Sequence, residues 1–110
     1  MIIKIEKLLS IIEEFRHYQP NIESTAISVF LMVALHDKKE GIPMQFVADK
    51  LEIAQSTVSR NVTKFLKLAR HKDNPMGFLE SFEDPYERRR KLVRLSPRGA
   101  SLIRNITNRL

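Results

Sequence analysis

Between residues 55 and 67, helical spacing gathers short polar side chains and cations onto one face: Gln55, Ser56, Thr57, Ser59, Arg60, Thr63, Lys64 and Lys67. No acidic residue interrupts residues 55–68. Hydroxyls and amides can hydrogen-bond base edges or phosphate oxygens, and Arg and Lys neutralise phosphate, so this face suits a phosphate-lined groove. A second cluster, Arg88, Arg89, Arg90 and Lys91, is an unbroken run of cations. Four adjacent positive charges repel one another unless an anion lies nearby.

Both clusters need elements to present them. Val58, Val62, Phe65 and Leu66 recur at i, i+4, i+7 and i+8, which predicts an amphipathic helix over residues 55–68 with its other face free. Ser56 is its expected N-cap. Upstream, residues 45–51 repeat the pattern with Phe46, Val47 and Leu51, and only Glu52, Ile53 and Ala54 separate the two helices. Two short helices on so tight a link predict a helix-turn-helix over residues 43–69. Any amphipathic helix pair in a small helical protein has this outline, so the charge distribution has to decide.

The net charge is +6, and it is unevenly placed. Residues 1–55 hold six Lys or Arg against eight Asp or Glu, whereas residues 56–110 hold thirteen against five. All the excess positive charge therefore begins at the second helix of the pair, which favours an anionic partner on that side. A membrane-surface protein would concentrate its cations on one helix with exposed bulky apolar residues; here they span a helix and a hairpin. The absence of cysteine excludes disulfides, thiolate zinc sites and thiol redox chemistry. No stretch is apolar for long enough to span a bilayer, and Lys4, Glu6 and Lys7 set the N-terminus apart from a signal peptide. A soluble, cytoplasmic protein is expected, folded as a single domain over residues 1–110.

In chain order, residues 2–17 form a first helix within an N-terminal segment 1–19. Ile2, Ile5, Leu8, Leu9, Ile12 and Phe15 lie at helical spacing, and Ile3 and Ile11 widen the stripe. Such a helix either folds wholly onto the core or buries one flank against a second copy. Residues 24–36 are apolar on almost every side, as the central helix of a small domain must be. After the helix pair, residues 70–75 read as a loop. Residues 77–82 and 89–95 read as two strands about a turn at residues 83–86, giving a hairpin over 76–95. In the second strand one face, Val93 and Leu95, should pack while the other stays wet. Ser96 and Pro97 mark the N-cap and first turn of a last helix, 97–110, with Gly99, Ile103, Ile106 and Leu110 as its stripe.

The segment from Asp84 to Gly99 resembles the wing of MarR-family transcription regulators. That family shows an acidic residue, any residue, then Arg at the wing tip, followed by Val-x-Leu-Thr-x-x-Gly. Glu87-x-Arg89 and Val93-x-Leu95-Ser96-x-x-Gly99 fit this pattern. Residues 48–60 resemble the family's helix-turn-helix, and the likeness covers roughly residues 22–100. It implies a mainly α fold with a small β-hairpin wing, the winged helix-turn-helix, in which a short strand at Ile42 pairs with the wing. It also implies double-stranded DNA as partner: the helix from Ser56 enters the major groove and Arg89 the adjacent minor groove. Arg60 would contact a base or phosphate, Lys64 and Lys67 phosphate, and Glu87 would orient an arginine. A homodimer is the family expectation, here through Ile5, Leu8 and Ile12 of the first helix with Ile103, Ile106 and Leu110 of the last. Three features depart from the family: Glu52 stands where such turns often have Gly, the segment 71–76 is long, and the chain stops one helix after the wing.

Other chemistry finds little footing. His17, His36 and His71 fall in different elements with no ligand-type neighbour at helical spacing, so no metal, no cofactor and no catalytic residue is expected. Gly41, Gly77 and Gly99 make no phosphate loop. The expected function is sequence-specific DNA binding in transcription regulation. Two alternatives remain: an accessory DNA-binding protein with little sequence preference, and a module docking on an acidic protein partner.

Overall fold

The structure, a computed structural model, describes residues 1–66 and 76–110. Lys67 and the loop expected over residues 70–75 lie outside the described residues. Among those described, five helices and three strands follow in the order α1 (Ile2–Tyr18), α2 (Ser24–Leu35), β1 (Ile42–Pro43), α3 (Met44–Leu51), α4 (Gln55–Lys64), β2 (Leu79–Glu83), β3 (Lys91–Leu95) and α5 (Pro97–Asn108).

The apolar run of α2 makes it the scaffold. Ala26, Val29, Phe30 and Val33, one side of that helix, are buried. Phe30 meets Phe15 of α1 edge-on at 5.8 Å and stacks on Phe65, the residue that ends α4, at 5.1 Å. Offset and edge-on aromatic pairs add about 0.5–1.5 kcal/mol beyond their buried area, so these contacts tie α1 and α4 to the same helix. The predicted stripe of α4 is the buried one: Val58, Val62 and Phe65 are nearly inaccessible.

Two local expectations change. The N-cap of α4 is Ala54 rather than Ser56, with no side-chain cap, because the helix begins at Gln55 directly out of the turn. The turn itself ends α3 with Glu52 in the left-handed conformation at φ 56°, ψ 45°. The Glu52 and Ile53 N–H groups both turn back to the Ala48 carbonyl, closing a helix end where glycine is the usual choice. Glu52 tolerates that conformation, at a cost of roughly 1–2 kcal/mol for a side chain there.

The three strands form one antiparallel sheet in the order β1-β3-β2. Ile42 pairs with Val93 and Pro43 with Leu92, so the short strand does meet the wing. On the other side, Leu79 faces Leu95 and Glu83 faces Lys91. The strands are shorter than the sequence pattern predicts, and the connection between them is the longer segment 84–90. Nor is one face of β3 simply wet: Leu92 and Val93 are both buried. Val93 points to the core, while Leu92 is covered by the turn before β1, where a Cβ on Gly41 would lie 3.1 Å from the Leu92 Cβ.

Ser96 caps α5 as expected. Its hydroxyl accepts the Gly99 N–H at 3.0 Å and donates to the Gly77 carbonyl at 2.6 Å. Gly99 follows from packing rather than from turn geometry: a Cβ there would stand 2.0 Å from the Phe78 carbonyl oxygen. The buried stripe of α5 is Gly99, Leu102 and Ile106, with Ile103 partly buried and Leu110 71% exposed. Arg109 at its end reaches α1, donating to Glu14 Oε1 at 2.5 Å and to the Ser10 carbonyl at 3.3 Å.

Candidate nucleic-acid interface

With its apolar stripe buried, α4 turns the rest of its surface outward. Ser56, Arg60 and Thr63 are exposed, and Gln55, Thr57, Ser59 and Lys64 are half-exposed. Thr63 donates its hydroxyl to the Ser59 carbonyl at 2.9 Å, which leaves the oxygen lone pairs facing out. Asn61, by contrast, is 1% exposed and donates to the Thr57 carbonyl at 2.9 Å. It is the polar residue of α4 that the inward side keeps.

The first residues of α4 and the start of β3, at the tip end of the wing, border the same open groove: Gln55, Ser56, Ser59 and Arg60 line it on one side and Lys91 on the other. The hollow continues between Ser59 and Thr63 of α4 and Ser81 and Glu83 of β2, with Lys91 again on its border. Two cations and a row of hydroxyls thus share a concave surface. Concavity matters because low-dielectric walls focus the field of charges lining a cleft.

The tip of the wing is built around Asp84. Its Oδ1 accepts the Tyr86 N–H at 2.8 Å, its N–H donates to the Arg90 carbonyl at 2.9 Å, and its Oδ2 lies 3.8 Å from Arg90 Nη1. The Arg90 N–H in turn donates to the Glu87 carbonyl at 2.9 Å. Asp84, only 9% exposed, therefore takes an arginine-orienting place that the sequence reading gives to Glu87, and the arginine is Arg90. Glu87 contributes its backbone; among the described residues its carboxylate makes no ion pair. Of the four clustered cations, Arg90 is committed to Asp84, whereas Arg88, Arg89 and Lys91 are exposed with no acidic partner among the described residues. The Asp84-Pro85 dipeptide is a turn signal in the sequence, and it is the signal that could have found this residue.

The six residues expected at a dimer contact do not form one surface. Ile5, Leu8 and Ile12 are 56%, 61% and 44% exposed, and Leu110 is exposed as well. Ile106 is 4% exposed in this chain's own core, and Ile103 packs against that core. Ile2, Ile3 and Leu9 join the exposed apolar surface of α1.

No protein-family model matches the sequence, and no curated protein matches it. Solved structures do match. MepR of S. aureus in complex with DNA superposes with a TM-score of 0.70 at 19% identity, covering 96% of this chain and 74% of MepR. A MarR mutant from E. coli complexed with operator DNA gives 0.60 at 16% identity, over 97% of this chain and 74% of that one. The PcaV transcriptional regulator of Streptomyces coelicolor, with its natural ligand, gives 0.58 at 22% identity, over 92% and 69%. The chain has the MarR-like winged-helix fold. In that winged helix, α3 and α4 are the helix-turn-helix and β2 and β3 the wing, and the likeness at these identities is one of fold.

Proposed function

We propose that this winged helix binds double-stranded DNA and acts as a sequence-specific transcription regulator, with α4 in the major groove and the wing tip in the adjacent minor groove. The observation that carries the reading is the groove shared by Gln55, Ser56, Ser59, Arg60 and Lys91, with Arg88 and Arg89 exposed in the same wing and without an acidic partner among the described residues. A surface meant only for carboxylates needs cations, not three hydroxyls at the start of the helix. Arg60 is assigned to a base edge or phosphate, Ser56, Thr57 and Ser59 to hydrogen bonds in the major groove, and Lys64 to phosphate. Arg89 is assigned to the minor groove, whose negative potential favours a cation where the groove is narrow. The DNA-bound state of MepR and of the MarR mutant supports this assignment by likeness of fold.

The binding unit in this reading is a homodimer formed through the N-terminal part of α1. Met1, Ile2, Ile3, Ile5, Leu8 and Leu9 are each more than half exposed, a larger apolar surface than an isolated chain ordinarily presents to water. The test is fluorescence anisotropy against the DNA upstream of the chain's own gene and against a random duplex, at two salt concentrations, with light scattering for mass. Tight binding to the upstream DNA alone, by a dimer, is the expected result. Equal, salt-sensitive binding to both duplexes would replace it with an accessory role of low sequence preference. Binding to neither duplex would leave docking on an acidic protein as the reading of the basic face.

A further inference from the structure

The wing is gripped from behind by the turn that follows α2. β1 pairs only with Leu92 and Val93, so the Leu95 N–H has no strand partner on that side and donates instead to Asp37 Oδ1 at 2.8 Å. One residue earlier, Arg94 lays its guanidinium 4.8 Å over the Phe82 ring. From there its Nε donates to Glu80 Oε1 at 3.1 Å and its Nη1 to the Lys39 carbonyl at 2.5 Å. The turn can lie this close because its last residue is Gly41, at φ +84°, where a Cβ would stand 2.8 Å from Phe82 Cζ. The same α2 that runs into this turn also fixes α4, through the stacked Phe30 and Phe65. One helix and the turn it runs into therefore hold both halves of the proposed DNA contact, the helix by aromatic packing and the turn by a polar clamp.

We infer that Asp37 and Arg94 are positioning residues for the wing: they set its angle against α4, and so the span from Arg60 to Arg89, without touching DNA themselves. This rests on the DNA reading for its functional consequence, but not for its geometry. Asp37 supplies an acceptor to a backbone group that fixes the root of β3. Arg94 uses its planar fork to tie β3 to two other elements at once: the turn through the Lys39 carbonyl, and β2 through both Glu80 and the Phe82 face. Lysine's ammonium is a compact point charge without a planar fork to donate sideways while lying over a ring, so it cannot reproduce that set.

The chain has no cysteine, so nitroxide labels at Ser56→Cys and Glu87→Cys report the distance from α4 to the wing tip by pulsed electron paramagnetic resonance. A single narrow distance distribution is expected in the labelled parent. It should broaden or shift in Asp37→Ala and in Arg94→Lys, and return in Asp37→Asn, which keeps the acceptor oxygen. An unchanged distribution in both altered chains would overturn the inference. In the unlabelled chain, Asp37→Ala should weaken duplex binding about three- to tenfold, part of what losing Arg89 would cost. It should have no further effect once Arg89 is Ala, because a residue acting only through the wing is non-additive with its tip. An equal loss in both backgrounds would make Asp37 a general structural residue and sink the inference. If the parent binds no duplex at all, the DNA reading fails, and the distance measurement still decides the clamp.

Discussion

The first helix and the α4–wing surface treat apolar side chains in opposite ways. On α1, Ile2, Ile3, Ile5, Leu8, Leu9 and Ile12 stay exposed along a stripe of which only the last member, Phe15, is buried. From Asp37 to Ala100, the one strongly exposed large apolar residue among those described is Tyr86 on the wing; there the outward positions are otherwise mostly polar or charged, with hydroxyls and cations along α4. Burying apolar surface stabilises by about 25 cal/mol per Å², so a stripe continuing past its own core retains an unspent tendency to associate. A basic groove has a different demand, which only an anion meets. The two surfaces therefore call for different partners, and substitutions on one should leave the other's partner alone.

The largest effect is expected on α1. Leu8→Glu would put a carboxylate in the proposed seam between copies, and an unpaired charge buried there costs about 3–5 kcal/mol. Light scattering should then give half the mass, with the helical signal retained, because Leu8 is 61% exposed in the single chain. A parent that already scatters as a monomer, or a variant that stays dimeric, would remove α1 from the interface. Arg60→Ala in the same measurement should keep the parent mass.

On the basic surface, Arg89→Ala should weaken duplex binding by about 1–3 kcal/mol. Its side chain is exposed and has no acidic partner among the described residues, so the thermal midpoint should stay within about 0.5 kcal/mol of the parent in stability terms. Full affinity in the variant would take the wing tip out of the contact. Lys64→Ala should act more weakly and more evenly. Every duplex should lose affinity alike, and the slope of log affinity against log salt should fall by about 1 as one phosphate contact disappears. A changed sequence preference would mean that Lys64 reads bases.

The comparison also explains what the sequence could reveal. Helical periodicity found α1 and α4 because each carries apolar residues at helical spacing, the all-round apolar run found α2, and the Ser96-Pro97 pair found the start of α5 because capping is local chemistry. Long-range pairing is another matter. Asp37 meets Leu95, and Arg94 meets Lys39, across more than fifty residues, and no spacing rule joins them. Gly99 was legible as a pattern but not as a cause, since the Phe78 carbonyl it accommodates comes from another element. Likewise Ile106 and Leu110, four residues apart, read as one stripe, yet the core ends between them. Periodicity gives the direction of a face and not the place where its neighbour stops.

The smallest prediction separates conformation from charge at the helix-turn-helix. Glu52 sits at φ 56° between α3 and α4, and its carboxylate is exposed beside a surface that is otherwise basic. Glycine adopts that backbone conformation without a Cβ conflict but loses more freedom on folding, so the net gain from Glu52→Gly should be about 0.5–1 kcal/mol. Glu52→Gln keeps the strain and removes only the charge. Denaturant midpoints should therefore rise for the glycine variant and stay put for glutamine, whereas duplex affinity at low salt should rise slightly for both, through the same reduced repulsion. A stabilised glutamine variant would show that the carboxylate, not the left-handed turn, is what costs stability here. An affinity gain confined to the glycine variant would mean that relaxing the turn moves α4 itself, which links the backbone of the turn to the presentation of Ser56 and Arg60.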